Sequence, residues 1–299
     1  MRFSKYQGLG NDFVVVDLRQ ADAATTKAIQ EPAIVAAVCD RQFGVGADGV
    51  LAILPAQTAG SVARMRVLNA DGSEAEMCGN GIRCVVEQLH AHGGVASETM
   101  TIDTAAGPLS CERVSLSGQG GVTVAMGAPR LLRGEIPMTG PAQERCIAQP
   151  VYLEAKGSTF SVTGVSMGNP HAVIFVEVSS DLRTLAETFG PTLEHHASFP
   201  ARTNVEFVRV KSRSELDVVV WERGCGITLA CGTGACATVV AAILGGHCDE
   251  ETDVKVNLLG GALTIRVLRN MTNVQMSGPA LHVYDGELDP RAVRPRPTL

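Results

Sequence analysis

Apolar positions fall along this chain in short runs broken by glycine, proline and small polar residues, and the runs are of two kinds. Most are brief and rich in β-branched residues: 13–17, 50–54, 64–68, 99–104, 109–114 and 122–126 in the first half, then the segment after Asn169, 205–210, 216–221, 254–258, 263–268 and 274–276 in the second. These predict strands. Helical spacing is rarer. Ile82, Val85, Val86 and Leu89 stand at i, i+3, i+4 and i+7, and the run stops at Gly93-Gly94. Residues 235–244 are apolar on every side, which predicts a buried helix, and they stop at Gly245-Gly246. Shorter helices are predicted over 32–38 and 182–189. Strands outnumber helices, and an all-apolar helix needs apolar cover around it. The expected class is α+β, each half a curved, mostly antiparallel sheet wrapped around a central helix.

Each long helical run begins at a cysteine. Cys78 precedes Gly79-Asn80-Gly81, and Cys231 precedes Gly232-Thr233-Gly234. The correspondence continues on both sides. Gly10-Asn11 with its apolar run answers Gly168-Asn169 with its own, Gly107-Pro-Leu answers Gly261-Ala-Leu, and Val124-Ala-Met126 answers Val274-Gln-Met276. The offset is nearly constant at about half the chain, far beyond the roughly 20–50 residues of a solenoid repeat. Two copies of one unit therefore make up the chain, with expected bounds 1–128 plus 280–299 and 129–279, and a crossing in the proline-rich stretch 128–149. A lone cysteine is more often core than catalyst, and that reading suits Cys39, Cys84, Cys111, Cys146, Cys225, Cys236 and Cys248. For Cys78 and Cys231 the repeated helix-start position outweighs it. Free N–H groups and the helix dipole there favour a thiolate.

Composition narrows the field. Hydrophobic content of 45% allows an ample core, and a net charge of −6 leaves no footprint for nucleic acid or an anionic membrane. No apolar run approaches the ~20 residues of a membrane span. The start lacks the apolar stretch of a signal peptide, and nine cysteines without a CxxC pair argue for reduced thiols, so a cytoplasmic protein is expected. The glycines of 43–49 lack the Gly-Lys-Ser/Thr ending of a phosphate loop and read as a structural turn. The tail 289–299, with three prolines, is expected to be loose.

If the two halves face each other, two thiols flank one bound molecule. One thiolate takes a proton from one face of a carbon and the other thiol returns a proton to the opposite face. Glycine-rich helix starts suit a carboxylate. No lysine stands near either motif for a pyridoxal aldimine, so no cofactor and no metal are expected. Facing thiols, partly ionised, would also be joined by mild oxidation.

The residues that carry this logic also resemble a known family. Gly8-Leu-Gly-Asn-Asp-Phe13, Asn69-Ala-Asp-Gly-Ser73 with Cys78-Gly-Asn-Gly-Ile-Arg83, Gly168-Asn-Pro-His171, and Glu222-Arg-Gly with Ala230-Cys-Gly-Thr-Gly-Ala235 are similar to diaminopimelate epimerase, nearly to the end of the chain at His282-Val-Tyr-Asp-Gly286. The resemblance implies interconversion of LL- and meso-2,6-diaminopimelate without cofactor, in lysine and peptidoglycan precursor synthesis, by a two-lobed homodimer. It assigns the acid–base pair to Cys78 and Cys231. Asn11, Asn69, Asn169, Asn204 and Arg223 match substrate positions, and Gly79-Asn80 and Gly232-Thr233 match turns that cradle the reacting carboxylate. His171 and Glu222 match residues that tune the thiols, Glu222 also holding an ammonium, and Tyr284 matches a dimer contact. Some members carry glutamine where this chain has Gly49, and Cys225 and Ile227 replace a small residue and a glutamate.

Other readings stand beside this one. Proline racemases and hydroxyproline epimerases share the two-thiol logic but resemble Cys-Gly-His at the first motif, where Asn80 stands here. A metal module would use Cys225, Cys231, Cys236 and His247, whose spacing departs from zinc pairs. A binding protein without activity is the third. From the residues alone, Asn11 and Asn169 could be turn amides, His171 a turn histidine, Glu222-Arg223 a surface ion pair and Tyr284 a packing residue.

Overall fold

A computed structural model describes residues 1–116, 119–289, 292 and 293; the end of the proline-bearing tail lies outside the described residues. Two compact units divide the chain, Met1–Val124 with Gly278–Leu299, and Ala125–Ser277. The proline-rich stretch 128–149 belongs wholly to the second unit.

The first unit runs β1 (Arg2–Gly8), β2 (Asn11–Asp17), α1 (Ala23–Ala28), α2 (Pro32–Cys39), β3 (Gly49–Leu54), β4 (Ala63–Asn69), β5 (Glu74–Ala75), α3 (Gly79–Ala91), β6 (Thr99–Thr104), β7 (Gly107–Leu116) and β8 (Gln119–Ala125). The second runs β9 (Gln149–Leu153), β10 (Ser158–Ser166), β11 (Pro170–Val176), α4 (Leu182–Glu194), β12 (Asn204–Ser212), β13 (Glu215–Glu222), β14 (Gly226–Ile227), α5 (Gly232–Leu244), β15 (Val254–Leu258), β16 (Gly261–Val267) and β17 (Val274–Pro279). Strand β18 (Leu281–Glu287) then returns to pair with β1.

The duplication extends to the hydrogen-bond pattern. In the first unit β1 pairs antiparallel with β2, β2 parallel with β3, β3 antiparallel with β4, β4 parallel with β6, and β6 and β7 continue antiparallel. In the second unit β10, β11, β12, β13, β15, β16 and β17 repeat those pairings with the same senses. The short β5 and β14 hang on β4 and β13 alike. Only the outer strand differs in origin: β18 from the chain's end covers β1, whereas β9, just upstream, covers β10.

Each sheet encloses its long helix. Helix α5 packs on β10, β11, β12 and β16, and α3 on β1, β2, β3, β4, β7 and β18. The burial of α5 follows from its all-apolar sequence. That of α3 was not expected to be so complete: Arg83 and Gln88 are buried along with Ile82, Val85, Val86 and Leu89. Helix α5 ends directly before Gly245-Gly246, and α3 ends one residue short of Gly93-Gly94, with His92 between; the second glycine of each pair is left-handed, Gly94 at φ 71° and Gly246 at φ 76°, a conformation glycine adopts without a Cβ penalty.

Two expectations change. Helix α4 runs past Pro191 to Glu194 rather than stopping near 189. Its last turn is held by packing: a Cβ on Gly190 would come within 2.6 Å of the Trp221 ring, and Leu193 is wholly buried. Strands β1, β9, β10 and β18 were not foreseen; in β1 the core positions include polar Ser4 and Lys5. Lys5 is buried by pairing with Asp12 at 2.6 Å and donating to the Gly46 carbonyl.

Candidate active site

Cys78 and Cys231 are the N-cap residues of α3 and α5. Both have extended backbone (φ −137°, ψ 113° and φ −116°, ψ 109°), and both sulfurs accept the N–H three residues on, Gly81 at 3.4 Å and Gly234 at 3.3 Å. The cysteine thus takes the place of a serine or threonine cap, with its sulfur at the positive end of the helix dipole. The second glycine of each turn is tightly packed. A Cβ on Gly81 would meet Leu51 at 3.0 Å and the Cys78 Cβ at 3.3 Å; on Gly234 it would meet Glu206 Oε1 at 3.0 Å and Cys231 Sγ at 3.2 Å.

In the first unit the Cys78 thiol lies 3.8 Å from Asn11 Oδ1, which also accepts from Asn80 Nδ2 at 3.2 Å. Asn11 Nδ2 donates to Asp48 at 2.8 Å, fixing the amide's direction. Asp48 is held by Arg41, which also reaches Asp12. Burial works against ionisation of Asp12, yet hydrogen bonds from Arg41 and Lys5 hold it at about 2. Beneath the turn, buried Arg83 donates to Asn80 Oδ1, the Gly79 carbonyl and the Pro279 carbonyl at 3.0–3.1 Å, locking the loop that carries Asn80. Asn69 closes β4 opposite Gly49, its amide donating to Ser73 Oγ at 3.0 Å. The structure thus joins Asn11, Cys78 and Asn80 by direct contacts and holds Asn69 at the end of the same sheet.

In the second unit Cys231 is buried, with Thr233 Oγ1 at 3.5 Å from its sulfur. Asn169 Nδ2 donates to that hydroxyl at 3.3 Å, and Asn169 Oδ1 contacts His171 Nε2 at 3.0 Å. His171 is fully buried in β11, so it is not a turn residue, and its Nδ1 meets Glu206 Oε1 at 2.6 Å. Glu222 accepts from the Thr228 hydroxyl and bonds the Cys231 thiol; it forms no surface pair with Arg223. Asn204 is buried and spans two strands, donating to the Pro170 carbonyl and accepting from the Arg223 N–H, both at 2.9 Å. Arg223 is exposed and donates to the Ala201 carbonyl at 3.2 Å.

The electrostatics of Cys231 overturn one expectation. Burial first, then the carboxylates of Glu222 and Glu206, push its thiol well above the ordinary value. The helix start does not compensate, so Cys231 rests as a thiol rather than a partial thiolate. Burial likewise raises Glu222 and Glu206 above the usual carboxylate range. Cys225 is exposed, against the expectation that it packs; Cys39, Cys84, Cys111, Cys146, Cys236 and Cys248 are buried.

Arg83, Asp48, Thr228 and Glu206 were missed from the sequence as parts of the site. Arg83 stood inside the quoted motif, and a buried glutamate in the apolar run Val205–Val208 was a signal for Glu206. The four residues of the zinc reading form no cluster. Among the described residues, the only potential metal ligands that converge are exposed His92, His282 and Asp285 of the first unit. Each unit also bears a surface groove, about 600 Å³ beside Phe3, Val16 and His92 and about 560 Å³ beside Asp181, Arg209 and Asn257, and neither touches a cysteine turn.

Comparison with known proteins shows the family of the chain. The family model for diaminopimelate epimerase matches residues 3–132 and 163–283. Diaminopimelate epimerase 1 of Nostoc sp. is 48% identical over 96% of this chain and 99% of its own length, and diaminopimelate epimerase of Cyanothece sp. is 49% identical over the same shares. Among solved structures, a probable proline racemase from Agrobacterium radiobacter aligns with TM-score 0.68 at 13% identity, covering 96% of this chain and 92% of that one. A hydroxyproline epimerase from Agrobacterium vitis aligns with TM-score 0.67 at 16% identity, covering 96% and 90%. These distant structures share the fold. The family match and the near-half identity along almost the whole sequence carry more: this chain belongs to the diaminopimelate epimerase family.

Proposed function

We propose that this protein interconverts LL- and meso-2,6-diaminopimelate by a cofactor-independent, two-cysteine proton transfer at the α-carbon. The observation that carries the reading is the duplicated N-cap: two thiols, each at the start of the central helix of its unit, each accepting the same backbone N–H. The α-proton passes to the sulfur of one cysteine, and the resulting carbanion takes a proton on its other face from the S–H of the second. Cys231, held as a thiol by burial and its two carboxylates, is the acid at rest when the LL-isomer is bound, and Cys78 the base. Glu222, bonded to that thiol, takes part in resetting its proton.

The turns Gly79-Asn80 and Gly232-Thr233 offer N–H groups to the reacting carboxylate and to charge developing as the proton leaves. Asn11, oriented by Asp48, stands beside the Cys78 sulfur, and Asn169, oriented by His171, reaches the Thr233 hydroxyl beside the Cys231 sulfur. Asn69, Asn204 and Arg223 take the distal amino-acid end, where an exposed guanidinium suits a carboxylate. Two of the hydrogen bonds of the Asn204 amide are already committed, which leaves one N–H and one oxygen lone pair for a ligand. The enzyme works as a cytoplasmic homodimer through Tyr284, which is 43% exposed beside Leu281 and Val283, an apolar strip suited to a second copy.

Turnover of LL-diaminopimelate in deuterated water by Cys78→Ala and Cys231→Ala tests the mechanism. Each variant should lose ~10²–10⁴-fold in rate while remaining folded. Near-full turnover by either one would refute the two-base scheme.

A further inference from the structure

The duplication supplies an internal control for the surroundings of each cysteine. Counting from the paired asparagines, Phe13 of β2 corresponds to His171 of β11: Phe13 stands opposite Gly49, and His171 opposite Asn204. Two residues on, Leu51 of β3 corresponds to Glu206 of β12, opposite Val15 and Val173. The correspondence holds in space, since a Cβ on Gly81 would meet Leu51 and a Cβ on Gly234 would meet Glu206, each at 3.0 Å. One fold thus builds the same place under a cysteine turn twice, with a phenylalanine and a leucine under Cys78 and a histidine and a glutamate under Cys231. The fold itself does not need the charged pair there.

A buried ionic pair is a poor source of stability against a well-packed apolar pair of similar size. Both His171 and Glu206 are fully buried, and Glu206 Oε2 has no hydrogen-bond partner. Their contacts lead toward Cys231. Asn169 gives its N–H to Thr233, so its oxygen faces His171 and calls for a proton on Nε2. Glu206 at Nδ1 supplies that condition when the pair shares one proton: as a carboxylate it accepts from Nδ1–H of an imidazolium, which keeps its Nε2–H, and as an acid it donates to a bare Nδ1 with the ring proton on Nε2.

We infer that Glu206 is a positioning residue for the epimerisation: through His171 it fixes Asn169, and through Asn169 the Thr233 hydroxyl beside the Cys231 sulfur. The inference rests on the reading of Cys231 as an acid–base group. It makes the two halves chemically unequal at these paired positions, a hydrogen-bonded histidine and glutamate in one half and an apolar phenylalanine and leucine in the other.

The test uses Glu206→Leu, His171→Phe and the double variant His171→Phe/Glu206→Leu, which copies the first unit's pair into the second. A glutamine at 206 could still donate to Nδ1, so the apolar replacement is the informative one. Glu206→Leu should lose about 10–100-fold in kcat, the scale seen when the partner orienting a metal-bound histidine is removed, with KM changed far less. The double variant should fold with a melting temperature no lower than the parent's, yet be as slow as His171→Phe alone, because the two residues act in one chain. In isotope-labelled parent protein, His171 Nε2 should carry a proton. Full kcat in Glu206→Leu, losses that multiply in the double variant, a double variant that melts lower than the parent, or a bare Nε2 would each overturn the inference. If Glu206→Leu does not fold, the double variant and the ring spectrum decide. Cys231→Ala, assayed alongside, separates the two readings: if it keeps its turnover, the acid–base role falls; if it is inactive while Glu206→Leu is not, only the role of Glu206 falls.

Discussion

Replacing Gly49 with alanine should weaken both the first unit and substrate binding. Gly49 opens β3 between Phe13 of β2 and Asn69 of β4. A Cβ there would lie 2.7 Å from the Leu68 carbonyl oxygen, against 3.4 Å at the start of ordinary contact, an overlap of about 0.7 Å. That carbonyl belongs to a strand paired with β3 on one side and β5 on the other, so it cannot step aside without opening a ladder. Two terms compete. Alanine restricts the unfolded chain, which stabilises by about 0.4–1 kcal/mol where the native backbone is unstrained. Overpacking against a rigid neighbour costs about 1–3 kcal/mol. Because the obstacle is backbone, overpacking wins, and a net loss of about 1–2 kcal/mol is expected. At roughly 2–4 °C per kcal/mol, thermal unfolding should move down by several degrees. Asn69 sits opposite the substituted residue, so KM for diaminopimelate should rise while kcat falls less. Gly49→Gln, which introduces the residue some family members carry, meets the same carbonyl and should do no better. An alanine variant that melts with the parent at unchanged KM would refute the packing argument and the placement of Asn69 together.

Three further outcomes follow from burial and exposure. Setting aside Cys78, the half-buried cysteine assigned as the base, Cys225 should be the first cysteine alkylated at pH 7–8, since it is exposed whereas burial pushes Cys39 and Cys248 to about 11 and Cys84 and Cys111 to about 12; peptide mapping that finds one of those four labelled ahead of Cys225 would contradict it. The same thiols make stability fall in alkali. Below pH ~8.5, where an unfolded cysteine titrates, both states keep their protons and stability is intact; between there and pH 11–12 the unfolded chain releases protons that the folded chain retains, so stability is lost. Urea midpoints at pH 7.5 and 10 measure this, and equal midpoints would count against it. Tyr284→Glu should yield a monomer in sedimentation, and a dimer of unchanged affinity would remove Tyr284 from the contact.

Much of the architecture was legible because apolar runs and their punctuation report backbone geometry directly. The strand at residues 254–258 appears with those bounds, and both cysteine helices begin where the glycine turns placed them. What escaped was local polarity offset by distant partners. Strand β1 carries Lys5 into the core because Asp12, seven residues on, meets it there. The register of β18 against β1 joins opposite ends of the chain, which no local pattern signals. Helix α4 outruns its pattern because Gly190 and Trp221 pack closely, a contact invisible until β13 is in place.

The candidate site divides along the same line. Residues lying within the turns, Cys78, Asn80, Cys231 and Thr233, were legible because the turn repeats. Arg83 and Glu206 were not, although both lie near those turns in space. Arg83 reads as the polar side of an amphipathic helix, yet α3 has almost no such side, and the guanidinium is spent on three oxygens under the Cys78 turn. Glu206 interrupts an apolar strand and would be a destabilising charge in isolation. Its partner His171 lies on the neighbouring parallel strand, brought near by a register that only the whole sheet determines. A duplicated sequence can be compared with itself residue by residue once that register is known. The comparison isolates the departures from symmetry, Phe13 against His171 and Leu51 against Glu206, and it is these unequal positions, more than the repeated cysteines, that distinguish how each half would handle its proton.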